Sequence, residues 1–157
     1  MTVQRFPRLS FHPVTSRALA ASREDALALG FARIHPEHML LALLRTADAV
    51  TEDVLRDQSC NGPALRTALL AGLPRGTHSE EQGPDLAYTP RAARVLHLAV
   101  DLAEAADDRA LYPEHVLLAI LVQDQGLGAR TARAAGLAED GLQAAMRSIV
   151  RPARGRP

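Results

Sequence analysis

The chain has 157 residues, 47% of them apolar, with 18 basic and 18 acidic side chains and a formal charge of zero. A chain with no net field offers nothing to attract nucleic acid or an anionic membrane; with no run of about 18 apolar residues and no signal-peptide core, a soluble, cytoplasmic protein is expected. Two Tyr, three Phe and no Trp beside abundant Ala and Leu are the profile of helix packed on helix, so an all-α fold is predicted. Every basic residue is Arg; without a lysine for the phosphates, a Gly-x4-Gly-Lys nucleotide loop is excluded. Cys60 is the single cysteine, which rules out an intramolecular disulfide and a multi-cysteine metal site and leaves a small buried apolar role.

Residues 1–12 carry Phe6, Pro7, Leu9 and Phe11 without periodicity and read as an arm that lays an aromatic ring on the first helical unit. Pro13 suits a first helical turn, apolar residues follow at helical spacing, and Gly30 supplies a stop, predicting a helix over 14–29. After a connector at 31–35, a helix is expected from Pro36 to about Arg45, whose Met39–Leu44 run is apolar on all sides and should lie at the centre of its unit. A helix over 50–57 follows. Asn61-Gly62-Pro63 then punctuates the chain, and Pro63 opens a fourth helix carrying Leu65, Leu69 and Leu70. Residues 74–87 are polar and rich in Gly and Pro, the composition of a linker. The pattern then returns, with helices expected over 90–106, 113–123, 128–135 and 139–150 and a disordered basic tail at 152–157.

The return is a repeat. His35-Pro36-Glu37-His38-Met39-Leu40-Leu41-Ala42-Leu43-Leu44 comes back as Tyr112-Pro113-Glu114-His115-Val116-Leu117-Leu118-Ala119-Ile120-Leu121, 77 residues later. The same offset pairs Pro13 with Pro90, Arg17 with Arg94, Arg56 with Arg133 and Leu65 with Leu142 without a gap. A duplicated four-helix unit follows, spanning 13–73 and 88–151.

Tyr88-Thr89-Pro90-Arg91-Ala92-Ala93-Arg94-Val95-Leu96 and Glu114-His115-Val116-Leu117-Leu118 resemble the N-terminal domain of Clp-family AAA+ unfoldases, especially the ClpC type. Its unit reads Phe-Thr-x-Arg-Ala-x-x-Val-Leu and later Gly-Thr-Glu-His-x-Leu-Leu-Gly-Leu. The resemblance covers about residues 6–151, and the first unit, with Phe11-His12-Pro13-Val14, has drifted further. It implies two tandem four-helix repeats related by a pseudo-twofold, and a non-catalytic module without a cofactor. Such a module docks substrate segments, adaptors or phosphoarginine-marked proteins and modulates a Clp unfoldase or protease. These 157 residues hold no ATPase module, so a free-standing relative is expected. The alternative that the resemblance implies is sequestration of cyclic peptide antibiotics that target ClpC-type domains.

Glu37 and Glu114 match the family glutamate that faces a phosphoarginine guanidinium, and a carboxylate can take a guanidinium bidentately. A Glu just after Pro at a helix start also suits the helix dipole. Tyr88, Thr89 and Arg91 complete the matching segment, and the resemblance implies one pocket of Tyr88, Thr89 and Glu114 in the second repeat. Where the family has Gly-Thr before the Glu, this chain has His35-Pro36 and Tyr112-Pro113, and Pro has no donor for a phosphate. Phe6, Phe11 and Tyr88 could form the apolar surface that would hold a cyclic peptide, or cap the two cores. His38 and His115, one residue past the glutamates, are expected to hydrogen-bond a carbonyl of the preceding connector. A metal at His35, Glu37 and His38 is disfavoured, because Tyr112 replaces His35 in the second repeat and there is no His-Glu-x-x-His. No Gly-x-Ser-x-Gly marks a hydrolase nucleophile.

Overall fold

A computed structural model of the chain describes residues 9–77 and 86–155. Phe6 and residues 78–85 lie outside the described residues.

Proline marks most of the helix starts. Helix α1 (Pro13–Ala28), α2 (Pro36–Arg45), α5 (Pro90–Ala105) and α6 (Pro113–Gln123) each have Pro in the first turn, where its missing N–H would have had no partner. Between and after them run α3 (Ala49–Asp57), α4 (Gly62–Gly72) with Pro63 in its first turn, α7 (Leu127–Ala134) and α8 (Glu139–Ala145). As the apolar runs demand, every residue of Pro36–Leu43 in α2 and of Pro113–Leu121 in α6 is buried. The two helices pack against each other at the centre of one continuous core. Cys60 and its repeat partner Leu137 are both buried.

The 77-residue offset extends to the backbone. Among the described residues, two non-glycine residues have positive φ, Ser59 at 56° and Asp107 at 54°, and their repeat partners are Gly136 at 107° and Gly30 at 79°. Each pair ends a helix with the left-handed turn that Gly adopts most easily. The turn is a property of the repeat, kept where only one copy has the glycine.

The described end of the N-terminal arm pairs with the other repeat. Strand β1 (Ser10–Phe11) pairs in parallel with β4 (Ala110–Leu111), while β2 (Arg33–Ile34) pairs with β3 (Ala87–Tyr88), with Ser10 opposite Ala110 and Arg33 opposite Ala87. Each arm therefore adds a strand to the other repeat's connector. His12 N–H donates to the Leu111 carbonyl at 3.1 Å, and its equivalent Thr89 N–H donates to the Ile34 carbonyl at 3.0 Å. Thr15 adds a cross-repeat bond, its hydroxyl donating to the Leu111 carbonyl at 2.7 Å.

Over residues 152–155 the expected disordered tail is also corrected, while 156 and 157 lie outside the described residues. Helix α8 continues through a π-helical turn at Met146–Val150 into a short helix α9 (Arg151–Arg154). Met146 and Val150 are buried, which fixes the turn, and the α9 arginines find carboxylates waiting on both repeats.

Candidate functional site

The crossed strands carry each repeat's glutamate to the start of the other repeat's third helix. In α2, Glu37 sits one residue into the helix and is 4% exposed. Its Oε2 accepts from the Gly128 N–H of α7 at 3.0 Å. The α7 N-cap is Gly126, which has no side chain to cap with, so the glutamate of the first repeat serves the second repeat's helix from across the interface. A Cβ there would lie 2.8 Å from Glu37 Oε2 and closer still to Arg91 Nη2, so a larger residue would push the Arg91 guanidinium aside. In the equivalent place, Glu114 Oε2 accepts from the Thr51 hydroxyl of α3 at 2.6 Å, and Thr51 is the repeat partner of Gly128.

Each glutamate also holds a guanidinium of this chain. Arg91, in the first turn of α5, lies between the repeats: its Nε and Nη2 each reach the Asp124 carboxylate at 2.9 Å, and Nη2 reaches Glu37 Oε2 at 3.1 Å. Asp124 also accepts from the Gly126 N–H at 3.1 Å. On Glu114 the cation is Arg154 of α9. Its Nε donates to Glu114 Oε1 at 2.7 Å and Nη2 to Oε2 at 3.0 Å. The outer edge of the same guanidinium meets Asp48, with Nη1 on Oδ2 at 3.0 Å and Nη2 on Oδ1 at 2.8 Å. Arg154 and Glu114 side chains are 2% and 1% exposed. Burial works against the charge on Arg154, but its hydrogen bonds to the Glu114 and Asp48 carboxylates outweigh it and raise its pKa. Asp48 is likewise penalised by burial, yet Arg154 and the Thr51 N–H hold its carboxyl down to about 2.

The parallel pairing regroups the predicted site. It brings Tyr88, Thr89 and Arg91 onto the Ile34–Glu37 segment of the first repeat, whereas Glu114 meets Thr51 and Arg154. Thr89 is the α5 N-cap, its hydroxyl accepting from the Ala92 N–H at 3.1 Å. The Tyr88 and Phe11 side chains are half-buried and pack against the core. Phe6 lies outside the described residues. Asp48, Thr51, Asp124 and Arg154 were not singled out from sequence, although a signal existed. Asp48 faces Gln125 in the repeat alignment, Asp124 faces Ala47, and Arg91 faces Val14, so the charges break the symmetry in matched sets.

The two histidines behave differently from expectation. His38 Nδ1 accepts from the His35 N–H at 2.9 Å and His115 Nδ1 from the Tyr112 N–H at 2.8 Å, each closing its helix start on a backbone donor instead of a carbonyl. His115 Nε2 then bonds Asp108 at 2.7 Å. The repeat partner of Asp108 is Phe31, whose ring stands edge-on to His38 with centroids 4.6 Å apart. His38 Nε2 is therefore buried without a hydrogen-bond partner among the described residues. Burial, and then His35, push the His38 pKa down to about 4, so the ring is neutral with its proton on Nε2. Around it, Phe31, His35 and Leu73 of the first repeat, Pro74 just after it, and Arg91 and Leu127 of the second line a cleft of about 240 Å³.

Among the described residues, no helix is long and apolar enough to cross a membrane and no group of His, Cys, Asp and Glu is arranged to hold a metal ion.

Comparison with known proteins agrees with this architecture. ClpC/MecB of Bacillus subtilis, a negative regulator of genetic competence, is 30% identical over 125 residues, 78% of this chain and 15% of that protein. The ATP-binding subunit ClpC of the Staphylococcus epidermidis Clp protease is 31% identical over 116 residues, 73% of this chain and 14% of that protein. The chain thus spans about one seventh of the length of these relatives. Among solved structures, the N-terminal domain of Arabidopsis thaliana ClpD superposes with a TM-score of 0.68 at 22% identity, covering 91% of this chain and 97% of that one. The Hsp104 N-terminal domain of Candida albicans gives 0.72 at 16% identity, covering 88% and 91%. The Clp repeat N-terminal domain profile matches residues 10–148, and the chain belongs to that family.

Proposed function

We propose that the chain is a non-catalytic docking module that takes an extended protein segment, from a substrate, an adaptor or a Clp unfoldase, in the cleft between its repeats. The observation that carries this reading is the cleft beside His38. Phe31, Leu73, Pro74 and Leu127 give it apolar walls, and it is also lined by His38, whose buried Nε2–H has no acceptor among the described residues. A peptide offers what is missing, an apolar side chain for the walls and a backbone carbonyl for the donor. The same geometry weighs against phosphoarginine capture as the resting function. Both glutamates already hold guanidiniums of this chain, so a phosphoarginine would have to displace Arg91 or Arg154.

The test is a titration of the isotope-labelled chain with a permanently unfolded casein, followed by amide shifts. Shifts are expected at Phe31, His38, Leu73 and Leu127, with Leu73→Glu weakening binding about tenfold or more, the worth of about 1.4 kcal/mol, in a spectrum that keeps its dispersion. Shifts elsewhere, or an affinity that ignores Leu73→Glu, would refute the reading.

A further inference from the structure

A second cavity, of about 620 Å³, opens within the first repeat between the end of α2, helix α3 and the start of α4. Leu44, Leu55, Cys60 and Pro63 give it an apolar lining, and it shares no lining residue with the cleft beside His38. The other repeat shows why it is open. There, Arg133 donates to the Leu121 carbonyl, and Leu137 is buried at the Cys60 position. In the first repeat the equivalent Arg56 pairs with Asp53 at 2.7 Å instead, and the smaller Cys60 leaves room. Arg130 stands where Asp53 stands, so Arg133 meets a like charge on that side and has no carboxylate to turn to.

The cavity also carries a cation that the other repeat lacks. Arg66 lines it, at the position of Gln143. Among the described residues its Nε is buried without a hydrogen-bond partner. The Arg66 charge reaches Asp25, but Asp25 is paired with Arg45 at 3.1 Å, and its own Oδ2 is likewise without a partner, so the two groups do not satisfy each other. A buried donor on a cation that lacks an acceptor is costly, and the acceptor that suits a guanidinium best is a carboxylate. Glu52 on the rim opposes a ligand with further negative charge.

We propose that this cavity takes the C-terminal residue of a protein segment, with an apolar side chain against Leu44, Leu55 and Cys60 and the terminal carboxylate on Arg66. The proposal rests on the reading of the chain as a docking module and gives that module a second site, for the end of a chain. A C-terminal residue matches the lining because it joins one negative charge directly to an apolar body, and a guanidinium can hold both oxygens of that charge. Phosphate and nucleic acid would bring further charge against Glu52 and leave the apolar lining uncovered.

The test titrates acetyl-glycyl-alanyl-leucine and its C-terminal amide into the isotope-labelled full chain and two variants. Arg66→Gln and Cys60→Leu each install the residue that the second repeat has at that position. The free acid should give saturable shifts at the Cys60, Gly62 and Arg66 amides, with the C-terminal amide about tenfold weaker, the scale of one charge-assisted hydrogen bond. Arg66→Gln should lose about the same factor, and Cys60→Leu should abolish binding by filling the floor. Equal binding of acid and amide, an unchanged affinity in Arg66→Gln, or shifts centred on Phe31 and His38 would overturn the proposal. So would 4-methylpentanoate binding as tightly as the peptide, which would assign the cavity to a free acid. If Cys60→Leu does not fold, Arg66→Gln decides alone. Because Leu73 lies outside this cavity, Leu73→Glu should leave the peptide affinity unchanged, and casein binding that survives in Arg66→Gln without peptide binding in wild type removes this site and leaves the cleft standing.

Discussion

Glu114→Ala separates a glutamate that belongs to the fold from one that waits for a ligand. The substitution removes both Glu114 oxygens from Arg154 and the acceptor from the Thr51 hydroxyl, at a place where the two charged side chains are 2% and 1% exposed. Breaking a buried ion pair by removing one partner costs about 3–5 kcal/mol, because a charge is left desolvated and uncompensated. Asp48 still holds the outer edge of the guanidinium, which places the expected loss near the low end, about 3 kcal/mol. For a chain of this length that is about 6–12 °C in melting temperature. Denaturant unfolding of wild type, Glu114→Ala, Arg154→Met and the double variant measures the loss and the coupling energy, which should exceed about 1 kcal/mol. A glutamate that merely suits its helix dipole is worth about 0.3–1 kcal/mol. A loss within that range, with no coupling to Arg154, would refute the claim that the pair joins the repeats.

Two further outcomes follow from the same geometry. Gly126→Ala should displace Arg91 from Glu37 and destabilise by about 1–3 kcal/mol, as overpacking does, whereas Gly128→Ala, whose Cβ would find ordinary contacts at 3.5 Å, should cost less; paired denaturation curves decide. His38, near 4 when folded against about 6.5 when unfolded, takes up its proton in the unfolded state first, so stability should fall as pH drops from 6.5 to 4. That one ring contributes on the order of 3 kcal/mol across the window, and burial shifts His12, His35 and His115 in the same direction. His38→Asn, which keeps an acceptor for the His35 N–H, should flatten the profile; an unchanged slope would show that His38 is not its source.

The fold was largely legible because its signals are local. Pro at the first turn and an unbroken apolar run locate α2 and α6 to the residue, and the 77-residue offset predicts a second unit from the first. The site was less so, because its contacts cross the repeats. Nothing in Glu37 or Glu114 says that parallel strands will carry each to the far repeat, and nothing local in Arg151-Pro152-Ala153-Arg154 distinguishes an anchored helix from a solvated tail. The place of Arg154 follows from Asp48 and Glu114, which are 66 residues apart in sequence and meet only after folding.

The central claim is that both repeat glutamates are filled from within, by Arg91 and Arg154, which leaves neither open to phosphoarginine at rest. The most direct measurement is a titration of the labelled wild-type chain with free phosphoarginine, watching the Gly128 and Thr51 amides beside Glu37 and Glu114, with arginine and phosphate as controls. The account predicts that millimolar phosphoarginine leaves both amides where they are. Saturable shifts centred on either amide would contradict it, showing that a resident arginine gives way to a phosphorylated one.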